Sequence, residues 1–530
     1  MPSRIIILSG PIGAGKSELT DQLVRRHGAH RVGTSDLIRR RISNARASLQ
    51  AEGDRLDRET GGNWVKSALA EIADELPPEA LLVVDSVRIP EQITAIRDAF
   101  GNAAYHIHLT APDHVLAERF ATRDADKDKG VTFEEARKQS TEKKIGRLTE
   151  LADLVIDTSR CTKDDVCVRA TALLGFYPRS LIRNVDVLVG GQYGSEGKGN
   201  IVGHIAPEYS LLVRVGGPNA GHKVYAAPEP DAFFHIPSGA NRAPNARLLL
   251  GAGAVLYVPK LLKEIQEHQI GVERLTIDPQ AMIIEDADKE EEAIKLASIS
   301  STAQGVGAAS ARKIMGRGGQ AKDAPRLAKD VEELRPYIGD GQALLEQHYL
   351  SGERILLEGT QGTSLSMHHG QYPWVTSRDT TVSGCLADAG ISPSRVRRTV
   401  MVCRTYPIRV GGPSGPMGNE LTYEELARRS GLDLELLTST EKTTTTKKQR
   451  RFAEFDWSQL KKSTMLNGPT DIAVTFVDYI DKENQKAFRF DQLTLETLRF
   501  IEEVERVSGV PVTMISTKFD WRNVIDRRSW

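Results

Sequence analysis

The chain is predicted to be an α/β protein that folds as two successive domains, and three observations say so. At Ile5-Ile6-Ile7-Leu8-Ser9, and again at Val185-Asp186-Val187-Leu188-Val189, a short apolar run leads directly into a glycine-rich loop. A buried strand followed by such a loop opens a parallel sheet, because a parallel neighbour is reached only through a crossover helix. The third observation is length, since 530 residues exceed one ordinary domain.

The first loop reads Gly10-Pro11-Ile12-Gly13-Ala14-Gly15-Lys16-Ser17, a complete G-x-x-x-x-G-K-[ST] phosphate loop. Gly10, Gly13 and Gly15, with Ala14 between the last two, let the backbone curl around phosphates. Lys16 reaches the β/γ oxygens and the Ser17 hydroxyl suits Mg²⁺. The run Leu81-Leu82-Val83-Val84-Asp85 supplies a second strand, its Asp85 placed like a Walker-B carboxylate. Around these elements the chain resembles small nucleoside-monophosphate kinases. That resemblance implies a kinase-like parallel sheet with flanking helices over residues 1–180. It also implies nucleotide kinase or ATPase activity, with acceptor-site candidates Asp36, Arg39, Asp85, Arg88, Arg119 and Arg123. A pure nucleotide sensor is the alternative for this half. The junction is expected near Gly175-Phe176-Tyr177-Pro178-Arg179-Ser180, before the strand at Val185.

Composition narrows the class. Hydrophobic residues are 40% and charged residues 27%, as in globular proteins. A net charge of -1 lacks the basic excess of a nucleic-acid-binding surface. No apolar run reaches the roughly 18–20 residues of a membrane span. Four cysteines, Cys161, Cys167, Cys385 and Cys403, have no metal-ligand spacing. No signal-peptide cleavage pattern follows Met1, so a cytoplasmic enzyme without nucleic-acid or membrane partners is expected.

The second loop, Gly190-Gly191-Gln192-Tyr193-Gly194-Ser195-Glu196-Gly197-Lys198-Gly199-Asn200, has no Ser or Thr after its lysine and is not a Walker A loop. A further glycine segment follows, Gly216-Gly217-Pro218-Asn219-Ala220-Gly221-His222. With these motifs, residues 184–530 resemble the adenylosuccinate synthetase family. The resemblance implies an α/β domain on a large, mostly parallel sheet, Mg²⁺ dependence and a homodimer. The reaction implied is phosphorylation of O6 on a 6-oxopurine nucleotide, followed by displacement of phosphate by the amino group of aspartate.

Roles transfer residue by residue. Gly194, Glu196, Gly197, Gly199 and Asn200 are expected at the triphosphate with Lys198 as its cation. Asn219, Ala220, Thr302, Gln361 and Thr376 are expected at the purine nucleotide, and His222 as proton donor. The Gly221 carbonyl and the Ser195 position match Mg²⁺ ligands. An arginine reaching the partner subunit's nucleotide is sought at Arg312 or Arg317. Thr445, Thr446, Lys448 and Arg450 match the aspartate loop, Lys448 standing where arginine is usual.

Two departures bear on substrate. The family's catalytic aspartate is replaced by Ser195, whose hydroxyl is too weak an acid to serve as base without activation. The smaller side chain leaves room for a 2-amino group, as in the 2-aminoadenylosuccinate synthetases that act on dGMP. The guanine-reading T-K-L-D segment is Thr475-Phe476-Val477-Asp478 here, and Ser516-Thr517-Lys518 forms the second base-contact segment. Phe476 offers an aromatic face in place of a lysine, which favours ATP or dATP over GTP. The expected reaction is therefore condensation of dGMP or GMP with L-aspartate, driven by ATP or dATP. Ordinary IMP-dependent synthesis and a catalytically inactive purine sensor are the alternatives.

Overall fold

The computed structural model describes residues 4–39, 46–78, 80–85, 87–122, 132–137, 145–176, 182–226, 228–318, 324–443 and 448–528. Arg123, Thr445 and Thr446 lie outside the described residues, as does the side chain of Arg39. The chain forms two compact units, Met1–Arg179 and Ser180–Trp530.

In the first unit five strands run in the order His30–Gly33, Leu81–Asp85, Arg4–Ser9, Ala104–Thr110 and Leu154–Asp157, every pair parallel. From Ile5 to Leu8 the central strand is apolar at every step because both its faces are covered. Ile5 and Ile7 pack with Val65, Leu69 and Ile93, while Ile6 and Leu8 pack with Leu19, Leu23 and Ala170. The phosphate loop leaves the carboxyl end of this strand and enters the helix Lys16–His27.

The second unit is built on nine strands. Their order is Leu275–Ile277, Arg247–Leu250, Leu211–Arg214, Ile355–Glu358, Val185–Gly190, Val396–Arg404, Asp471–Thr475, Val512–Ser516 and Val524–Asp526. Only the last pair is antiparallel. Val185, Val187 and Val189 of the central strand face one core and Leu188 the other. Because the strands are parallel, the loops after Gly190, Arg214, Glu358, Thr475 and Ser516 all emerge at one edge. That edge is where open α/β sheets place their ligands.

Candidate active site

The glycine loop after Val185–Gly190 is held from within. Glu196 accepts from the backbone N–H of Gln192 at 3.0 Å and of Gly194 at 2.7 Å, and pairs with Lys198 Nζ at 2.8 Å. Lys198 Nζ also donates to the carbonyls of Gly194 and Gln361, at 3.2 and 2.6 Å. Both side chains are buried. The expected triphosphate cation and the expected nucleotide contact therefore brace the loop, and the Glu196 carboxylate is fully used in doing so. Gly197 takes the left-handed conformation, φ +80°, that opens the helix Lys198–Ile205. Ser195 is half-buried, and its carbonyl accepts from Arg404 Nη1 at 3.4 Å.

A cleft next to this loop is lined by Gly197, Asn200, Thr475, Phe476, Ser516, Lys518 and Phe519. Five of these were expected at the triphosphate or its base, and two Phe rings among polar groups suit a nucleobase. Thr517 and Asp478 do not line it. The Thr517 hydroxyl turns inward to the carbonyls of Ala487 and Asn523. Asp478 accepts from Gln485 Nε2 at 3.0 Å, and burial pushes its carboxyl up to about 6. The strand-end turn presents Phe476, at φ +58°, to the cleft.

His222 sits on the next strand edge and is buried. Its Nδ1 is hydrogen-bonded to Glu358 Oε1. The same carboxylate accepts from Arg214 Nη1 at 3.2 Å, Ser238 Oγ at 2.6 Å and the Ser238 N–H at 2.7 Å. Burial, then the Arg214 charge, pushes His222 down to about 4 against the pull of Glu358. Burial works to raise Glu358, but Arg214 and His222 outweigh it and bring the carboxyl to about 2. With Glu358 ionised, Nδ1 carries the proton, and Nε2 is a buried atom without a partner among the described residues. An imidazole held in one tautomer by a carboxylate is a prepared acid–base group.

Three residues expected at the purine nucleotide come together. Gln361, at φ +59°, donates from Nε2 to Asn219 Oδ1 at 2.9 Å, and Asn219 Nδ2 reaches Thr376 Oγ1 at 3.4 Å. The Ala220 carbonyl accepts from Arg214 Nη2 at 3.0 Å. Thr302 lies in the loop before the helix Val306–Met315, whose N-terminal N–H groups at Gly305 and Gly307 are taken by Glu292. Arg312 pairs with Asp288 at 2.6 Å. Arg317 is exposed and donates from Nε to the Ile314 carbonyl at 2.7 Å.

At the aspartate loop, Arg450 pairs with Glu441 at 2.8 Å and the Lys448 N–H donates to Thr443 Oγ1 at 2.9 Å. In the first unit Gly10, Gly13 and Gly15 all have positive φ. Lys16 Nζ rests on the Gly10 and Pro11 carbonyls at 2.5 and 3.0 Å. A Cβ on Gly10 would lie 2.2 Å from the Leu109 carbonyl oxygen, so only glycine fits there. Arg119 reaches the Gly13 carbonyl and Thr158, tying it to the loop, whereas Arg88 is exposed. Asp85 pairs with Arg31 at 2.8 Å.

Sequence reasoning assigned no role to Glu358, Arg214, Ser238, Arg404 or Glu441. Glu358 carried a signal, being a carboxylate at the end of an otherwise apolar strand. The Mg²⁺ ligands expected from sequence in the second unit are the Ser195 hydroxyl and the Gly221 carbonyl, and no cluster of three acidic, His or Cys ligands exists among the described residues. Neutral oxygens of this kind fit a Mg²⁺ carried on nucleotide phosphates, where the phosphates supply the charge.

Comparison with known proteins agrees with this geometry. A family model described as adenylosuccinate synthetase matches residues 187–327 and 321–487, and one described as an AAA domain matches 6–142. The adenylosuccinate synthetase of Methanocaldococcus jannaschii is 38% identical over 352 residues, 65% of this chain and 96% of that protein. That of Pyrococcus sp. strain ST700 is 39% identical over 351 residues, 64% and 98% of the two chains. Among solved structures, succinoaminodeoxyadenylate synthetase (PurZ) of cyanophage S-2L, bound to dGMP and dATP as an energy donor, aligns with a TM-score of 0.54. It is 28% identical, covering 65% of this chain and 96% of that one. Adenylosuccinate synthetase from Plasmodium falciparum shares the fold, with a TM-score of 0.56, 22% identity, and coverage of 65% and 100%. The chain belongs to the adenylosuccinate synthetase family of nucleotide- and Mg²⁺-dependent carbon–nitrogen ligases, and carries a P-loop kinase-like domain ahead of its ligase domain.

Proposed function

We propose that the second unit condenses dGMP, or GMP, with L-aspartate to give the N6-succinyl-2-amino purine nucleotide, using ATP or dATP. The observation that carries this reading is Ser195, a small half-buried side chain in the loop that binds both substrates in the family. Phe476 in the donor-base cleft supports it, as does the likeness to a structure containing dGMP and dATP.

In this reading the γ-phosphoryl group passes to O6 of the purine, the donor leaving as a diphosphate. The aspartate amine then attacks C6, the C6–O6 bond breaks and inorganic phosphate departs. Lys198 and Glu196 hold the loop shape so that its N–H groups face the phosphates. His222, fixed through Nδ1 by Glu358, presents Nε2 to the transferring group. Binding of anionic phosphates raises the proton affinity of that nitrogen, and the imidazolium formed donates to the developing charge. Gln361, Asn219 and Thr376 orient the purine nucleotide. Ser195 and the Gly221 carbonyl would hold Mg²⁺ brought in on the donor, which supplies charge neutralisation at the phosphates. Ser195 has no base to activate it, so the N1 proton goes to water or to a substrate phosphate. Arg450 and Lys448 take the aspartate carboxylates, and Arg317 serves the neighbouring site of a homodimer. The first unit binds a nucleoside triphosphate at Gly10–Ser17 and phosphorylates a nucleotide acceptor.

IMP-dependent synthesis is the second reading, favoured by relatives 36–39% identical that are named adenylosuccinate synthetase. The test incubates the protein with aspartate, Mg²⁺ and dGMP, GMP or IMP, each crossed with ATP, dATP and GTP. Product from dGMP with ATP or dATP is expected. Product from IMP with GTP alone would establish the second reading in its place.

A further inference from the structure

Arg404 ends the strand Val396–Arg404 and is wholly buried, yet its guanidinium touches three separate parts of the site. Nη1 donates to the Ser195 carbonyl at 3.4 Å and Nη2 to Glu441 Oε1 at 2.9 Å, while its carbon lies 3.9 Å from the centroid of the Phe476 ring. The backbone of Arg404 is clamped as well. Its N–H donates to the Gln192 side-chain oxygen and its carbonyl accepts from the Gln192 amide, both at 3.0 Å.

Glu441 continues the chain of contacts. It accepts from the Tyr479 hydroxyl at 2.6 Å and from Arg450 Nη1 at 2.8 Å, and its carbonyl accepts the Arg450 N–H at 3.2 Å. Tyr479 meets Phe476 edge-on, ring centroids 5.2 Å apart. Burial would raise the Glu441 carboxyl, but Arg404 and Arg450 outweigh it and bring it down to about 2. It is therefore an anion between two cations in a region closed to water, where each partner depends on the others. Phe476 has little slack: Thr405 Oγ1 donates to its carbonyl at 2.6 Å, and a Cβ on Gly197 would lie 3.1 Å from its ring.

We infer that Arg404 and Glu441 are positioning residues that couple occupancy of the donor-base cleft to recognition of the amino-dicarboxylate substrate, fixing Phe476 at one end and Arg450 at the other. This rests on the function proposed above. A base that packs in the cleft bears on Phe476, Phe476 bears on Arg404, and Arg404 shares its carboxylate with Arg450. Neither Arg404 nor Glu441 meets a substrate. Their effect falls on apparent affinities and leaves the phosphoryl chemistry in place.

The test uses the full chain in steady-state assays with dGMP, ATP and aspartate. Glu441→Gln keeps the shape and removes the charge. It is expected to raise the aspartate KM by about tenfold or more, with the dGMP KM within about twofold, and Glu441→Asp is expected to recover part of the loss. Phe476→Leu changes the cleft wall and removes the ring's contact with Arg404, leaving the Arg404–Glu441–Arg450 charges in place. It is expected to raise the aspartate KM in the native background and to add nothing in the Glu441→Gln background. An unchanged aspartate KM in Glu441→Gln, equal rises in all three KM values, or strictly additive effects would each overturn the inference. Should Glu441→Gln fail to fold, Glu441→Asp carries the same comparison with Phe476→Leu. A native protein that joins aspartate to no purine nucleotide would sink the proposed function together with the coupling.

Discussion

His222 Nδ1 is bound to the Glu358 carboxylate, and Glu358 is shared with Arg214 and Ser238. The imidazole is thus fixed in orientation and tautomer by a carboxylate 136 positions further along the chain. Changing Glu358→Gln lets the amide donate to Nδ1 and reverses the tautomer. We expect kcat to fall by about 10²-fold or more, the range of a lost acid–base group, with KM values little changed. Glu358→Ala strands Arg214 in the interior and should cost about 3–5 kcal/mol, measured by denaturant unfolding.

The same pair predicts the acid stability of the second unit. His222 has a folded value of about 4 against an ordinary 6.5. Between those values the unfolded chain binds a proton that the folded chain refuses, so stability falls as pH falls through the window. Glu358, at about 2 against 4.5, extends the loss to lower pH. Unfolding midpoints at pH 7, 5.5 and 4.5 should decline, and His222→Asn should flatten the upper part of that slope.

Gly197→Ala introduces a side chain at φ +80° and 3.1 Å from the Phe476 ring. The backbone strain alone is about 1–2 kcal/mol. The displaced ring narrows the donor-base cleft, so the KM for ATP should rise more than that for aspartate or dGMP. Equal rises would mean that the change loosens the whole loop.

Phe476→Lys restores the residue type that the guanine-reading segment carries in the family. Here the new ammonium would lie over Arg404, whose guanidinium stacks on the Phe476 ring at 3.9 Å. The cation–π contact, worth about 0.5–2 kcal/mol, is exchanged for like-charge repulsion. The variant should melt at lower temperature and gain little use of GTP. A variant as stable as the native chain that uses GTP efficiently would refute this.

Lys16→Ala removes the cation of the phosphate loop in the first unit. Nucleoside triphosphate binding by that unit should be lost, while ligase turnover stays within about twofold, because each unit has its own hydrophobic cores. Titration of a triphosphate against the variant, beside the ligase assay, reads both outcomes.

Where the reading from sequence succeeded, the residues involved were contiguous. Gly10–Ser17 is a phosphate loop because its glycines must adopt positive φ within eight residues. The turn at Gly197 before a helix is equally local, and Gly197, Asn200, Phe476, Ser516 and Lys518 line one cleft. The inward turn of Thr517 and the burial of Asp478 were not legible, because facing inward or outward at a strand end depends on what packs above it. Nor was it legible that Arg312 pairs with Asp288 of the preceding helix.

Family, fold class and the glycine loops follow from the residues in order along the chain. The electrostatic frame does not. Ser195 with Arg404, Lys198 with the Gln361 carbonyl and His222 with Glu358 are pairs more than a hundred residues apart. They meet because parallel strands distant in sequence end at one edge of the sheet, and local patterning does not encode which strand ends become neighbours. Sequence alone assigns both Lys198 and Glu196 to the triphosphate. Packing closes the two on each other, since a buried ammonium requires a nearby anion.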